Sequence, residues 1–237
     1  GVVDAQTVLG LMYKEGRGVG QNDAEAVKWY LKAAEQNDAN AQFEIGGMYI
    51  SGLGVDQDYT EAARWYRKAA EQGNEHGQFN LGLMFQDGLG VEQNDAEALR
   101  WFLQAGERGQ AGAQAILGMM YKEGLGVVQD YTEAVKWYLK AAEQGISNAQ
   151  YNLGMMYHKG EGVPQDNAQA LKWFYEAAGQ EDAYAQAMRD AIDLSGYIAT
   201  YRGDHARAVA FFEQEVASYR AEGGAGFVEP GGIEFAQ

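Results

Sequence analysis

The chain has 237 residues and a formal net charge of -16 at pH 7, from 18 Lys and Arg against 34 Asp and Glu, with no cysteine. That balance excludes the cationic footprint that nucleic acid or an anionic membrane surface demands, and it leaves neutral or basic partners open. The lack of cysteine removes disulfides and thiolate metal sites, and no apolar run reaches the roughly 18 residues that a membrane span needs.

The chain opens at Gly1 already inside a repeating pattern, as expected of a trimmed or mature form. Its only tryptophans are Trp29, Trp65, Trp101, Trp137 and Trp173, evenly spaced along the sequence. A constant period of this size is the mark of stacked supersecondary units, none of which buries its own apolar face alone. The predicted units run 5–40, 41–76, 77–112, 113–148 and 149–184. They predict an all-α fold, a right-handed α-solenoid of stacked antiparallel helix pairs with a 36-residue period.

The fourth unit serves as the template. Ala113, Leu117, Met120 and Tyr121 fall at helical spacing before Gly124, which predicts a helix A. Asp130 followed by Glu133 reads as a capping box opening a helix B, which continues through Ala134, Trp137, Tyr138, Ala141 and Ala142 to a stop at Gly145. The same box is read at Asn22 and Glu25, Asp58 and Glu61, Asn94 and Glu97, and Asp166 and Gln169. Gly10, Gly46, Gly82, Gly118 and Gly154 sit inside helix A, where each costs about 1 kcal/mol relative to alanine. Close packing of the helix B Trp and Tyr over the missing side chain is the expected offset. Met12, Met48, Met84, Met120 and Met156 recur without variation and are predicted core.

The stretches AQ-x-x-LG-x-MY-x-x-G-x-GV and EA-x-x-WY-x-KAAEQG resemble the Sel-one-like repeat (SLR) family, relatives of the tetratricopeptide repeat. Local departures are Gly77 and Gly106 in the third unit and Asn37 in the first. The resemblance implies a scaffold for assembly, signalling or envelope functions without selecting one, and it favours an exported or periplasmic bacterial protein over a cytoplasmic one. Units one and three share QNDAEA while units two and four share QDYTEA, a trace of duplication by pairs.

After Gln186 the pattern fades. Residues 185–222 keep an apolar stripe through Met188, Ala191, Ile192, Tyr197 and Tyr201, as a degenerate capping helix pair would. Residues 223–237 form a Gly-rich tail in which Phe227, Val228, Ile233 and Phe235 stand among glycines and a proline. It reads either as a disordered end or as an extended peptide that docks on this or a neighbouring solenoid.

Chemistry is sparse. His76 and His158 are more than two units apart and cannot share a metal ion, and no serine stands in an S-x-x-K or G-x-S-x-G setting. The Gly-x-Gly-Val turns lack the preceding strand and following lysine of a phosphate loop. The sequence therefore predicts no catalytic residue, no metal site and no cofactor.

Function is sought instead where the repeats differ. Helix A is expected to line the concave face, where one stripe presents Asn40, Phe43, Glu44, Gly47 and Ser51 in the second unit. His76, Phe79, Asn80, Leu83 and Asp87 continue it, followed by Gly112, Ala115, Ile116, Met119 and Glu123. Asn148, Tyr151, Asn152, Met155 and Lys159 complete it. One reading makes Phe43, Phe79 and Tyr151 packing between neighbouring A helices. The other makes the stripe a groove for an extended peptide, with amides for its backbone and Met and aromatic groups for its side chains. The expected function is a non-catalytic adaptor for a neutral or basic protein segment. The alternative is self-assembly, a homo-oligomer in which the tail of one molecule docks on the next.

Overall fold

The structure, a computed structural model, describes residues 1–178. The predicted capping pair at 185–222 and the tail with Phe227, Val228, Ile233 and Phe235 lie outside the described residues. Within them the chain is all-helical, in the order α1 (Val2–Glu15), α2 (Asp23–Ala34), α3 (Ala39–Ser51), α4 (Tyr59–Glu71) and α5 (Glu75–Asp87). It continues as α6 (Asp95–Glu107), α7 (Ala111–Glu123), α8 (Tyr131–Glu143), α9 (Ser147–Lys159) and α10 (Asn167–Ala178). Odd helices are the A helices and even ones the B helices, and each packs on its neighbours before and after it in sequence, which makes an α-solenoid.

The B helices start where the N-cap residues place them. The Asn22 carbonyl oxygen accepts from the Glu25 amide at 3.1 Å, and Asp58 accepts from Thr60 and Glu61 at 2.8 and 3.0 Å. The predicted boxes are nevertheless one-sided. The cap's own N–H is already used, donated to a helix A carbonyl: Asn22 to Tyr13, Asp58 to Tyr49, Asn94 to Phe85, Asp130 to Tyr121 and Asp166 to Tyr157, at 2.8–3.0 Å. The third-position glutamates turn instead to a cation one turn on, as Glu61 does to Arg64 at 3.0 Å and Glu97 to Arg100 at 2.8 Å. The A helices begin two residues ahead of the predicted unit starts, because the side chains of Asp38, Asn74 and Gln110 cap α3, α5 and α7.

The helix A glycines are covered as expected by the Tyr of helix B, or the Phe in its place, but not by the Trp. A Cβ built on Gly10, Gly46, Gly82, Gly118 or Gly154 would lie 2.5–2.7 Å from the ring of Tyr30, Tyr66, Phe102, Tyr138 or Phe174. These are the residues that follow the tryptophans, so the expectation that Trp shares this role is corrected. One residue of helical rotation turns the indole toward the preceding unit. Trp65 packs with Ala26, Val27 and Tyr30 of the first unit, and Trp173 with Ala134, Val135 and Tyr138 of the fourth. Trp137 reaches back to Gly106 of the third unit, 3.3 Å from where a Cβ would stand. Trp29, in the first of the described units, is only half-buried. The ring closes each pair internally and the indole joins pair to pair. Met48, Met84, Met120 and Met156 are core as predicted, each at most 3% exposed, whereas Met12 of the first unit is half-buried.

The joint between A and B also leans on the previous unit. Both glycines of the second loop are left-handed, Gly52 at φ 66° and Gly54 at φ 71°, and Gly54 rests against the Asp23 backbone of α2. The replacement of the closing glycine by Asn37 keeps the same geometry, φ 71°, which asparagine tolerates.

Two adjacent glycines of α3 separate packing from propensity. Gly46→Ala drives a Cβ to 2.7 Å from the buried Tyr66 ring, whereas at Gly47 only the Tyr66 hydroxyl comes within 4 Å, at 3.6 Å. Gly46→Ala is expected to lower the unfolding free energy by about 1–3 kcal/mol, and Gly47→Ala to raise it by up to about 1 kcal/mol. Urea unfolding of the two variants reads the difference, and similar effects at both sites would refute the packing argument.

Candidate functional site

The stripe read from the sequence does lie along the A helices, and packing claims part of it. Phe43 approaches Tyr66 and His76 with ring centroids 5.8 and 5.6 Å apart. Phe79 stands 5.9 Å from Phe102 and leans on Gly112, and Tyr151 stands 5.7 Å from Phe174. These aromatics are half-buried against the ring that closes their own unit. They serve the scaffold while keeping one edge accessible.

The polar members divide between units. Asn40 accepts from the Asn74 amide at 3.1 Å, tying the starts of α3 and α5 together. Asn80 and Asn152 donate their side-chain amides to the carbonyls of His76 and Asn148, one turn back, at 2.9 and 2.8 Å. Their carbonyl oxygens are left for an incoming N–H, the reverse of the donor role that an amide groove suggests. Glu44 bonds Lys14 of α1 at 2.6 Å, and His76, Asn40 and Asn148 are exposed. Leu83, Ile116, Met119 and Met155 are half-buried, an apolar surface across units three to five.

A second row of residues carries a signal in the sequence, the glutamine that recurs near the start of each helix A after Ala or, in the third unit, Gly77. Gln42, Gln78, Gln114 and Gln150 are at most 4% exposed. Each donates its amide to a carbonyl at the end of the preceding helix B, Ala34, Ala70, Gly106 or Ala142, at 2.9–3.1 Å. The carbonyl oxygens of Gln42 and Gln114 accept from Gln72 and Gln144 of their own helix B, both at 2.7 Å. One buried amide thus joins three helices. The third unit carries Arg108 where the others have this second glutamine; its guanidinium lies over Gly73 and the Gln78 carbonyl oxygen has no partner. Polarity, not only apolar burial, sets the register between units.

Titratable groups on this face are few. Burial first, and then the Glu44 carboxylate, pushes the Tyr66 hydroxyl up to about 12. Burial also raises Tyr30, helped by Glu44 and Glu15, and Tyr138, helped by Glu123. Among the described residues no three His, Asp or Glu side chains converge as a metal site, and no helix is long and apolar enough to cross a membrane.

An array of helix pairs with a constant core and a variable helix A face defines the class of α-solenoid repeat scaffolds. The Sel1 repeat model matches residues 3–38, 39–74, 76–110, 111–146 and 147–182, and the chain belongs to the Sel1 repeat family. Among solved structures it is similar to a Sel1 repeat protein from Oxalobacter formigenes, with 41% identity, a TM-score of 0.72, and coverage of 74% of this chain and 72% of that one. It is also similar to c5321, described as a protective antigen present in uropathogenic Escherichia coli strains and displaying an SLR fold. There the identity is 34% and the TM-score 0.78, over 93% of this chain but 47% of the antigen, so the chain spans about half of that protein. No curated protein matched the chain. Sel1 repeats commonly mediate protein–protein interaction, and the family is generally non-catalytic.

The raised tyrosines link stability to pH. The folded state holds the phenol proton that the unfolded chain releases near pH 10. Their contribution is complete below that value and is lost as pH rises through the folded one, which for Tyr66 is a window from about 10 to 12. Each such group steepens the decline by about 1.4 kcal/mol per pH unit. Phe102 and Phe174 already fill the equivalent place, so Tyr66→Phe preserves the packing. Urea unfolding between pH 9 and pH 11.5, taken as about the accessible range, is expected to give a shallower decline for the variant. Parallel curves would contradict the assignment.

Proposed function

We propose that the chain is a non-catalytic adaptor that binds an extended segment of a protein partner along the helix A face. The observation that carries this reading is the contrast within single helices. In α5, α7 and α9 the residues Leu81, Leu117 and Leu153 are fully buried and identical, whereas two positions on, Leu83, Met119 and Met155 are half-buried and change from Leu to Met. Methionine adapts to different side chains, and the carbonyl oxygens of Asn80 and Asn152 offer acceptors for peptide N–H groups on either side. The net charge of -16 favours a neutral or basic segment.

Peptides selected from a random display library against the wild-type protein provide the probe. Leu83→Gln with Met155→Gln should weaken the selected peptides about tenfold or more, with the thermal midpoint nearly unchanged. The aromatics Phe79 and Tyr151 are poorer choices, since both pack on helix B rings. Enriched peptides that bind the folded double variant as tightly as wild type would sink the proposal.

A further inference from the structure

The loops that join helix A to helix B carry a second surface, independent of the helix A face. Each loop runs Gly-x-Gly-Val, and the residue between its glycines is Arg17, Leu53, Leu89, Leu125 and Glu161 in turn. The backbone there is fixed on both sides. The first glycine is the left-handed end of helix A, and the second presses on the preceding helix B: Gly54 on Asp23, Gly90 on Tyr59, Gly126 on Asp95. The following valine turns inward, with Val55 and Val91 packed against the core clusters. The middle residue is left facing outward at Leu53 and Leu89, whereas Leu125 is half-buried with one side against the core.

The scaffold does not require leucine at that place, because Arg17 and Glu161 occupy the same backbone in the first and fifth units. Both are ion-paired, Arg17 to Glu15 and Glu161 to Lys159 at 4.0 Å. Leu53 and Leu89 are 43% and 38% exposed, and Tyr59 and Val128 are exposed beside them at 37% and 86%. The contact of Gly90 with the Tyr59 backbone sets Leu89 next to Tyr59, and the repeat carries the same loop position through units two to four. Exposed Asp56, Asp87 and Glu92 border it, and none of the three is in an ion pair.

We propose that this loop ridge docks a basic amphipathic α-helix of a partner protein. The apolar stripe of that helix rests on Leu53, Leu89 and Leu125, and its flanking Lys and Arg side chains meet Asp56, Asp87 and Glu92. Two turns of α-helix advance about 10.5 Å, so residues at i, i+7 and i+14 of such a helix fall on one face and can be set against a row of loops that repeats once per unit. An extended strand is disfavoured at the leucines themselves, because their amides and those of the helix B caps are already committed. Leu53 and Leu89 donate to the Met48 and Met84 carbonyls, and Asp58 and Asn94 to Tyr49 and Phe85. Side chains alone are offered, which suits a helix.

The probe is a labelled synthetic helix of about 18 residues with leucines at i, i+7 and i+14 in a Lys and Ala background, followed by fluorescence anisotropy. The chain should bind it, and the combined Leu53→Gln, Leu89→Gln and Leu125→Gln variant should bind about tenfold or more weakly. Its melting should fall only slightly, by the partial packing of Leu125, since Glu161 already occupies this place. A matched peptide with Glu in place of Lys should bind far more weakly. The Leu83→Gln and Met155→Gln variant should bind the Lys peptide as wild type does. No binding by wild type, equal binding by the folded triple variant, equal binding of the Glu peptide, or loss only in the helix A variant would each overturn the proposal.

Discussion

The closure of a buried aromatic ring over a helix A glycine is the contact on which the rest of the structure depends. Each ring occupies the volume that any larger residue would fill, so the two helices of a pair approach until the ring meets the backbone. The glycine is unfavourable for an isolated helix by about 1 kcal/mol, and the burial of a Tyr or Phe side chain, worth roughly 1.5–3 kcal/mol, offsets it. With the pair fixed in this way, the neighbouring tryptophan faces the preceding unit and the glutamine three residues into helix A bridges to it. The repeat is thus closed and extended by residues adjacent in sequence.

The period, the helix pairs and the core methionines were legible from the sequence because they depend on spacing that a single strand of text preserves. The division of labour between Trp101 and Phe102 was not. Both are large and apolar, they differ by one residue of rotation, and only the placement of two neighbouring helices shows which ring meets the glycine. The capping boxes were misread for a related reason. The cap side chain is a local matter, but its N–H goes to a carbonyl of the other helix, as Asp130 does to Tyr121, and no spacing within helix B reveals that.

The helix A stripe was legible as a face and less so as chemistry. Phe43, Phe79 and Tyr151 pack on helix B rings and also reach the surface, so the two readings of them are compatible. Asn80 and Asn152 are on that face with their amides turned to their own helix. The loop leucines drew no notice in sequence because a Gly-Leu-Gly turn looks like a helix end and nothing more. Their meaning comes from comparison along the chain, where Arg17 and Glu161 prove that a charged residue fits the same backbone.

The account rests on a separation between positions that repeat and build the scaffold and positions that vary and face outward. Leu81 and Leu83 test it within one turn of α5, one fully buried and repeated, the other half-buried and variable. The most direct measurement is the unfolding free energy of Leu81→Ala and Leu83→Ala in urea. Leu81→Ala should cost about 2–5 kcal/mol and Leu83→Ala about 1 kcal/mol or less. Equal losses, or the larger loss at Leu83, would contradict it.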